Sequence, residues 1–163
     1  MSAFDSTARR IARCKERMPE YPVQMVTLSR LAYHVQKRVQ DKLSAALKEY
    51  EMTTVGYTAL MVLYGSETET QRASELGEAC SEKPANMTRI CNELAARGLI
   101  DRRSSDNDRR GVVITLTEAG RNMVEMLSPE YWAIVAQTYA GIDDASLQKH
   151  EQMLHHQLDN LED

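Results

Sequence analysis

A chain of 163 residues with 42% hydrophobic and 27% charged side chains has room for one domain plus an extension, at the composition of an ordinary globular protein. No apolar run approaches the roughly 18 residues of a membrane span, and the basic N-terminus (Arg9, Arg10, Arg13) is not followed by the apolar segment of a secretory signal. Three scattered cysteines, Cys14, Cys80 and Cys91, make no disulfide framework and fit a reducing cytoplasm.

The formal net charge of −4 would argue against a polyanionic partner if it were spread evenly. It is not. Residues 1–81 sum to +1, residues 82–117 to +2 with four arginines inside 102–110, and residues 118–163 to −7. Affinity for a polyanion depends on the local field at the contact face, so an acidic tail does not disqualify a basic face elsewhere.

The lead-in, residues 1–23, has weak periodicity and contains Pro19 and Pro22, which predicts an irregular or briefly helical segment. From about Gln24 to Glu49, the residues Leu28, Leu31, Val35, Val39, Leu43 and Leu47 recur at helical spacing and predict one long amphipathic helix. Its length exceeds what a small core needs, leaving apolar surface for a partner chain. Thr53 or Thr54 can cap a second helix with Tyr57, Leu60, Met61 and Tyr64 on one face, ending near Gly65. The polar run 66–71 reads as a loop, and 72–80 as a short helix with Ala73, Leu76 and Cys80 inward.

Pro84 suits the first position of the next helix, where its missing N–H costs nothing. Met87, Ile90, Cys91 and Leu94 then form a buried stripe, and Gly98 ends the helix. Val112, Ile114 and Leu116 alternate with Val113 and Thr115, the period of a half-buried strand, with 100–104 as its antiparallel mate. Thr117 caps a further helix expected to kink or restart at Ser128-Pro129 and to run to Gly141. Asp143 caps the last, with Ile142 and Leu147 placed as a hydrophobic staple and Leu154, Leu158 and Leu161 continuing its seam. The predicted order is ααααββαα: mainly α with a small β-hairpin.

Two short helices followed by an arginine-loaded hairpin are the order of a winged helix-turn-helix, which sets one helix in a DNA groove and a basic ribbon beside it. This unit spans 51–117, between long helices at 24–50 and 118–163. On its second short helix, Pro84, Ala85, Asn86, Thr88, Arg89 and Asn92 lie away from the buried stripe. Asn86 can pair with adenine, Arg89 can grip guanine with two hydrogen bonds, and Thr88 suits a phosphate or a thymine methyl. A polar helix face is ordinarily only solvated; the position after a helix-turn and before a basic hairpin favours contact with DNA. Arg102, Arg103, Arg109 and Arg110 of the hairpin would meet phosphates or a narrow minor groove. The terminal helices carry apolar seams with no partner in the chain, which favours a homodimer over a monomer core. Two recognition helices reading one operator, about 34 Å apart, require that symmetry.

The residues Asn86-Met-Thr88-Arg89, then Leu94-x-x-Arg97-Gly98-Leu-Ile-x-Arg102, then Asp108-x-Arg110-Gly111 leading into Leu116-Thr117-x-x-Gly120, resemble the multiple-antibiotic-resistance regulator (MarR) family over roughly residues 25–161. The long lead-in and the run from Ser105 to Arg110 look most similar to the multidrug-efflux repressor branch. The resemblance implies a homodimer with intertwined N- and C-terminal helices on a pseudo-palindromic operator, released by small aromatic or phenolic acids. In the family pattern Asp108 pairs with an arginine of its own hairpin, which would aim Arg110. The family's ligand cleft lies by the first two helices, where this chain has Tyr33, His34, Tyr57, Met61 and Tyr64, with Arg30 able to meet a carboxylate. Aromatic core packing is the competing account of each.

One branch of the family senses peroxides through an N-terminal cysteine, which makes Cys14 an alternative sensor, although the tyrosine spacing of that branch is missing. His150, His155 and His156 form no convincing metal cluster, and no cofactor is expected. No GxSxG, phosphate-binding loop or dinucleotide fingerprint is present, so the chain does not read as an enzyme. An architectural winged helix that answers to no ligand is the remaining alternative.

Overall fold

The computed structural model describes residues 4–104 and 111–162. In chain order these form α1 (Asp5–Arg17), α2 (Val23–Leu47), a 3-10 turn (Lys48–Tyr50), α3 (Thr54–Tyr64), β1 (Thr70–Arg72), α4 (Ala73–Ala79), α5 (Pro84–Ala96), β2 (Ile100–Ser104), β3 (Val112–Leu116), α6 (Glu118–Tyr139) and α7 (Asp144–Asp159). The architecture is mainly helical, a winged helix-turn-helix flanked by long helices. No helix among the described residues is long and apolar enough to cross a membrane.

Helix starts follow from local chemistry. The first amides of a helix have no partner within it, and a short polar side chain just before the helix can accept one, worth about 1 kcal/mol. Thr53 accepts from the Gly56 N–H at 3.0 Å, Thr117 from the Gly120 N–H at 3.0 Å, and Asp143 from the Ser146 N–H at 2.9 Å. Pro84 occupies the first turn of α5, and Gly98 follows its end at φ +70°, a left-handed conformation that glycine adopts without strain.

The core gathers Leu43 and Leu47 of α2, Tyr57, Leu60 and Leu63 of α3, Leu76 of α4, Met87, Ile90, Cys91 and Leu94 of α5, Ile114 and Leu116 of β3, and Val124 and Leu127 of α6. Burying each of the larger apolar side chains contributes about 1.5–3 kcal/mol. α3 lies at the centre of this arrangement, touching α2, α4, α5, α6 and β3. The helix-turn-helix is thereby packed onto α2 and α6 through one core.

The hairpin is in fact two-thirds of a three-stranded antiparallel sheet in the order β1-β3-β2. The run 66–71 is not wholly a loop, because Thr70, Gln71 and Arg72 pair with Thr115, Ile114 and Val113. Three polar residues carry no period of their own. They become a strand because the outer edge of β3 offers them backbone partners, and Thr70 Oγ1 donates across to Thr115 Oγ1 at 3.1 Å.

Two further expectations change. The lead-in is a full helix of 13 residues rather than an irregular or brief one; Ile11 is its buried residue, and His34 of α2 meets Phe4 edge-on at 5.6 Å and Thr7 Oγ1 at 3.5 Å. Of the kink or restart expected in α6, the restart does not occur: the helix runs through Pro129 to Tyr139. Proline removes a helical donor, but Leu127 and Ser128 are buried against α3 and the Ser128 hydroxyl donates to the Val124 carbonyl at 2.8 Å, so packing carries the helix past the missing bond. Along α2 only Leu43 and Leu47 are buried; Leu28 and Val35 stay 53% and 50% exposed. α7 has no buried residue at all.

Candidate nucleic-acid interface

α4 and α5 are joined by a tight turn. Ser81 takes a left-handed backbone (φ +53°), and the Glu82 N–H donates to the Gly77 carbonyl at 2.8 Å. α5 is pinned from below by Met87, Ile90, Cys91 and Leu94, each at most 2% exposed. Pro84, Ala85, Thr88, Arg89 and Asn92 are therefore left on the outer face, with Asn86 half-buried at its flank.

These polar side chains are ordered by one another. Asn86 Nδ2 donates to Glu82 Oε2 at 2.6 Å, and Arg89 donates from one terminal nitrogen to Asn86 Oδ1 at 2.9 Å and from the other to Glu93 Oε1 at 2.5 Å. The Thr88 hydroxyl donates back to the Pro84 carbonyl at 2.8 Å. Arg102 of β2 donates to Asn92 Oδ1, which ties the first wing strand to the outer face of α5. Arg103 is exposed one residue further along β2, opposite Val113. Asp108, Arg109 and Arg110 lie outside the described residues.

The base of the wing is fixed from three sides. Thr117 Oγ1 donates to the Gly98 carbonyl at 2.7 Å, and the Thr117 N–H donates to the Leu99 carbonyl at 3.2 Å. Gly120 lies directly against that carbonyl: a Cβ there would stand 2.1 Å from Leu99 O. Arg121 grips Glu69 with both ends of its guanidinium, at 3.1 and 2.5 Å, and the Glu69 carbonyl accepts the Leu116 N–H at 2.9 Å. The Arg121 hydrogen bond holds the Glu69 carboxyl below its ordinary value.

Two kinds of site residue escape a reading of the sequence. Arg97 donates to the carbonyls of Glu51 and Tyr50, at 2.8 and 2.9 Å, and so anchors the end of α5 to the corner between α2 and α3. Its partners are backbone atoms far away in sequence, which no local pattern announces. Glu82, in the turn before α5, and Glu93 on α5 bracket Asn86 and Arg89; each stands four residues from its partner, but in the sequence such a carboxylate looks the same as a merely solvated one.

The candidate ligand residues fall into two groups. Tyr57 is 2% exposed, its hydroxyl 3.2 Å from Ser128 Oγ and its ring 5.9 Å from that of Tyr131. Since the Ser128 proton goes to Val124, Tyr57 is the donor, and burial pushes its pKa up. Met61 Sδ lies 3.8 Å from the same serine oxygen. Arg30, Tyr33 and His34 are elsewhere, towards the N-terminal half of α2: Arg30 sits 5.1 Å over the Tyr33 ring, and Tyr33 meets His34 edge-on at 5.8 Å.

Cys14 is partly buried and accompanied by Tyr21, whose hydroxyl is raised by desolvation and by the neighbouring thiol. Burial pushes the Cys80 thiol up to about 11 and raises Cys91 as well, which keeps both as unreactive thiols. His155 approaches Glu151 at 4.0 Å, and among the described residues no group of three His, Cys, Asp or Glu side chains could hold a metal.

The family model described as "Transcriptional regulator SarA/Rot" matches residues 41–127. "Transcriptional repressor MprA" of Escherichia coli (strain K12) is 31% identical over 146 residues, which span 90% of this chain and 83% of that protein. Among solved structures, Sco3205, a MarR family transcriptional regulator from Streptomyces coelicolor in complex with DNA, is similar with a TM-score of 0.78 at 19% identity, over 84% of this chain and 87% of that one. BpsR of Bordetella bronchiseptica, whose DNA binding is regulated by 6-hydroxynicotinic acid, gives 0.71 at 21% identity, over 80% and 98%. The chain belongs to the MarR family of DNA-binding transcriptional regulators.

Proposed function

We propose that the protein is a ligand-responsive repressor that binds a pseudo-palindromic operator as a homodimer and is released by a small aromatic or phenolic acid. The observation that carries the DNA half of this reading is the continuous polar surface from α5 onto β2, joined by the Arg102–Asn92 hydrogen bond. Asn86 and Arg89 would read base edges from the major groove, with Pro84, Ala85, Thr88 and Asn92 flanking them. Arg102, Arg103, Arg109 and Arg110 would meet phosphates or the minor groove, and Asp108 would shape the wing tip.

The dimer is supported by the helices that find too little to bury in their own chain. A 16-residue helix is marginal in water without tertiary contacts, yet α7 buries nothing of its own. Between α6 and α7 lies an apolar groove of about 490 Å³, lined by Val135, Tyr139, Leu147, Leu154 and Leu158. Residues 24–50 and 118–163 would then be dimerisation helices, setting the distance between two copies of the unit 51–117. Substituting Leu154 and Leu158 together with glutamate should give a monomer in sedimentation; a dimer of undiminished stability would remove this assignment.

For the effector, the similarity to BpsR supports an aromatic acid, with Arg30, Tyr33, His34, Tyr57 and Met61 as the candidate contacts. A panel of salicylate-like acids should raise the melting temperature and release bound duplex, with Tyr57→Phe and Arg30→Ala weakening both effects. Silence across the panel favours a ligand-independent regulator. One observation favours a second reading: the Tyr21 hydroxyl beside Cys14 could stabilise an oxidised sulfur. Peroxide should then release DNA from the wild type and not from Cys14→Ser.

A further inference from the structure

Resting on the reading of α5 as the recognition helix, we propose that Glu82 and Glu93 are positioning residues that make Asn86 and Arg89 read base edges in preference to phosphates. The four side chains form one unbroken hydrogen-bonded chain, Glu82 to Asn86 to Arg89 to Glu93, at 2.6, 2.9 and 2.5 Å. Each link leaves the next group with a defined remainder.

A carboxylate only accepts and a guanidinium only donates. Glu82 therefore fixes the NH₂ end of Asn86 towards itself, and Arg89 fixes the carbonyl end. The amide cannot turn over without breaking both bonds. One N–H and one oxygen lone pair stay unused, the donor and acceptor pair that adenine requires. Arg89 likewise commits one hydrogen of each terminal nitrogen, to Glu93 and to Asn86, and keeps the other hydrogen of each. Those two form the fork that guanine accepts through O6 and N7.

The carboxylates also discriminate by charge. A guanine edge is neutral, and can take the two spare hydrogens while Glu93 keeps its own. A phosphate carries a full negative charge, and bringing it to Arg89 means bringing it to Glu93. Both the Arg89 and the Glu93 side chains are about half exposed, 57% and 50%, so neither is held by burial and either can face DNA. The +2 segment thus pairs strong attraction at the wing with restraint on the helix.

The test uses the full-length protein with Glu82→Gln, Glu93→Gln and the double variant, on a mixed-sequence duplex and on a randomised duplex pool. Glutamine preserves size and one accepting oxygen but removes the charge and the acceptor-only character of the carboxylate. The double variant should bind mixed-sequence duplex more tightly, by roughly fivefold, the scale of one exposed ion pair. Its affinity should fall more steeply with salt, by about 0.9 in the log–log slope for each cation released to a phosphate. Sequences selected from the pool should lose definition, while Glu93→Asp, which keeps the charge, stays near the wild type. A wild-type affinity, salt slope and selected consensus in the double variant would overturn the proposal. Absence of salt-dependent duplex binding by the wild type would instead bring down the DNA reading on which it rests.

Discussion

Gly120 of α6 lies so close to the carbonyl of Leu99 that a Cβ would stand 2.1 Å from the oxygen and 2.7 Å from the Leu116 side chain. The contact is made to backbone, which cannot swing aside as a side chain could. It sets the start of the long helix directly on the root of the wing. Gly120→Ala must push the two apart, at a cost of about 1–3 kcal/mol and a fall in melting temperature of about 2–10 °C. The same displacement moves Arg102 and Arg103 relative to α5, so duplex affinity should fall by more than the stability loss alone explains. A melting temperature equal to that of the wild type would show that the approach is not tight.

Arg97 ties the end of α5 to the carbonyls of Tyr50 and Glu51 across the corner between α2 and α3. Two parallel bonds to backbone oxygens need a planar fork, which arginine has and lysine lacks. Arg97→Ala should cost about 1 kcal/mol, and Arg97→Lys should recover little of it. Hydrogen exchange at the amides of the last turn of α5 should quicken in both. Equal protection in Arg97→Lys and wild type would mean that the charge alone matters.

The Glu69–Arg121 pair gives the fold an acid limit. The Glu69 carboxyl is held below its ordinary value near 4.5, chiefly by the Arg121 hydrogen bond and then by its charge. A group whose folded-state pKa is depressed stabilises above its unfolded-state value, and the contribution drains away as the pH falls through the lower folded-state value. Stability should therefore decline from about pH 4.5 downwards, and Glu69→Gln should be less stable at neutral pH with a shallower loss in that window. Parallel acid-unfolding curves for the two proteins would remove the pair from this role.

Tyr57 donates to a buried serine that has already spent its own proton on the helix backbone. Tyr57→Phe leaves Ser128 short of one donor and should cost about 1 kcal/mol, whereas Tyr57→Ala opens a cavity and should cost about 3–5 kcal/mol. Thermal unfolding separates the two outcomes. If Tyr57→Phe were as damaging as Tyr57→Ala, the hydroxyl and not the ring would be holding α3 to α6.

The parts of the fold that were legible in the sequence are those whose cause is local. Thr53, Thr117 and Asp143 announce helix starts because each side chain serves an amide a few residues on. Met87, Ile90, Cys91 and Leu94 announce the buried side of α5 because the helical period puts them on one stripe. What stayed hidden depends on distant partners. β1 exists through pairing with β3, α6 crosses Pro129 because Ser128 is packed against α3, and Arg97 acts on backbone 46 and 47 residues away. Tyr57 illustrates the ambiguity of aromatic residues: its spacing served a cleft and a core equally, and its closest polar partner sits 71 residues on. Glu82 and Glu93 were in plain view, and only the side-chain geometry shows what they hold.

The central claim is that α5 and the wing together bind duplex DNA, the helix reading bases and the strand arginines holding phosphates. The most direct measurement is equilibrium binding to a palindromic duplex enriched from a random pool, titrated against salt for the wild type, Arg89→Ala and Arg102→Ala. The wild type should weaken steeply with salt; Arg102→Ala should bind every sequence less tightly with a slope shallower by about 0.9, and Arg89→Ala should lose preference for the enriched sequence more than it loses affinity for others. Binding that ignores salt, or a uniform loss in Arg89→Ala with an unchanged slope in Arg102→Ala, would contradict it.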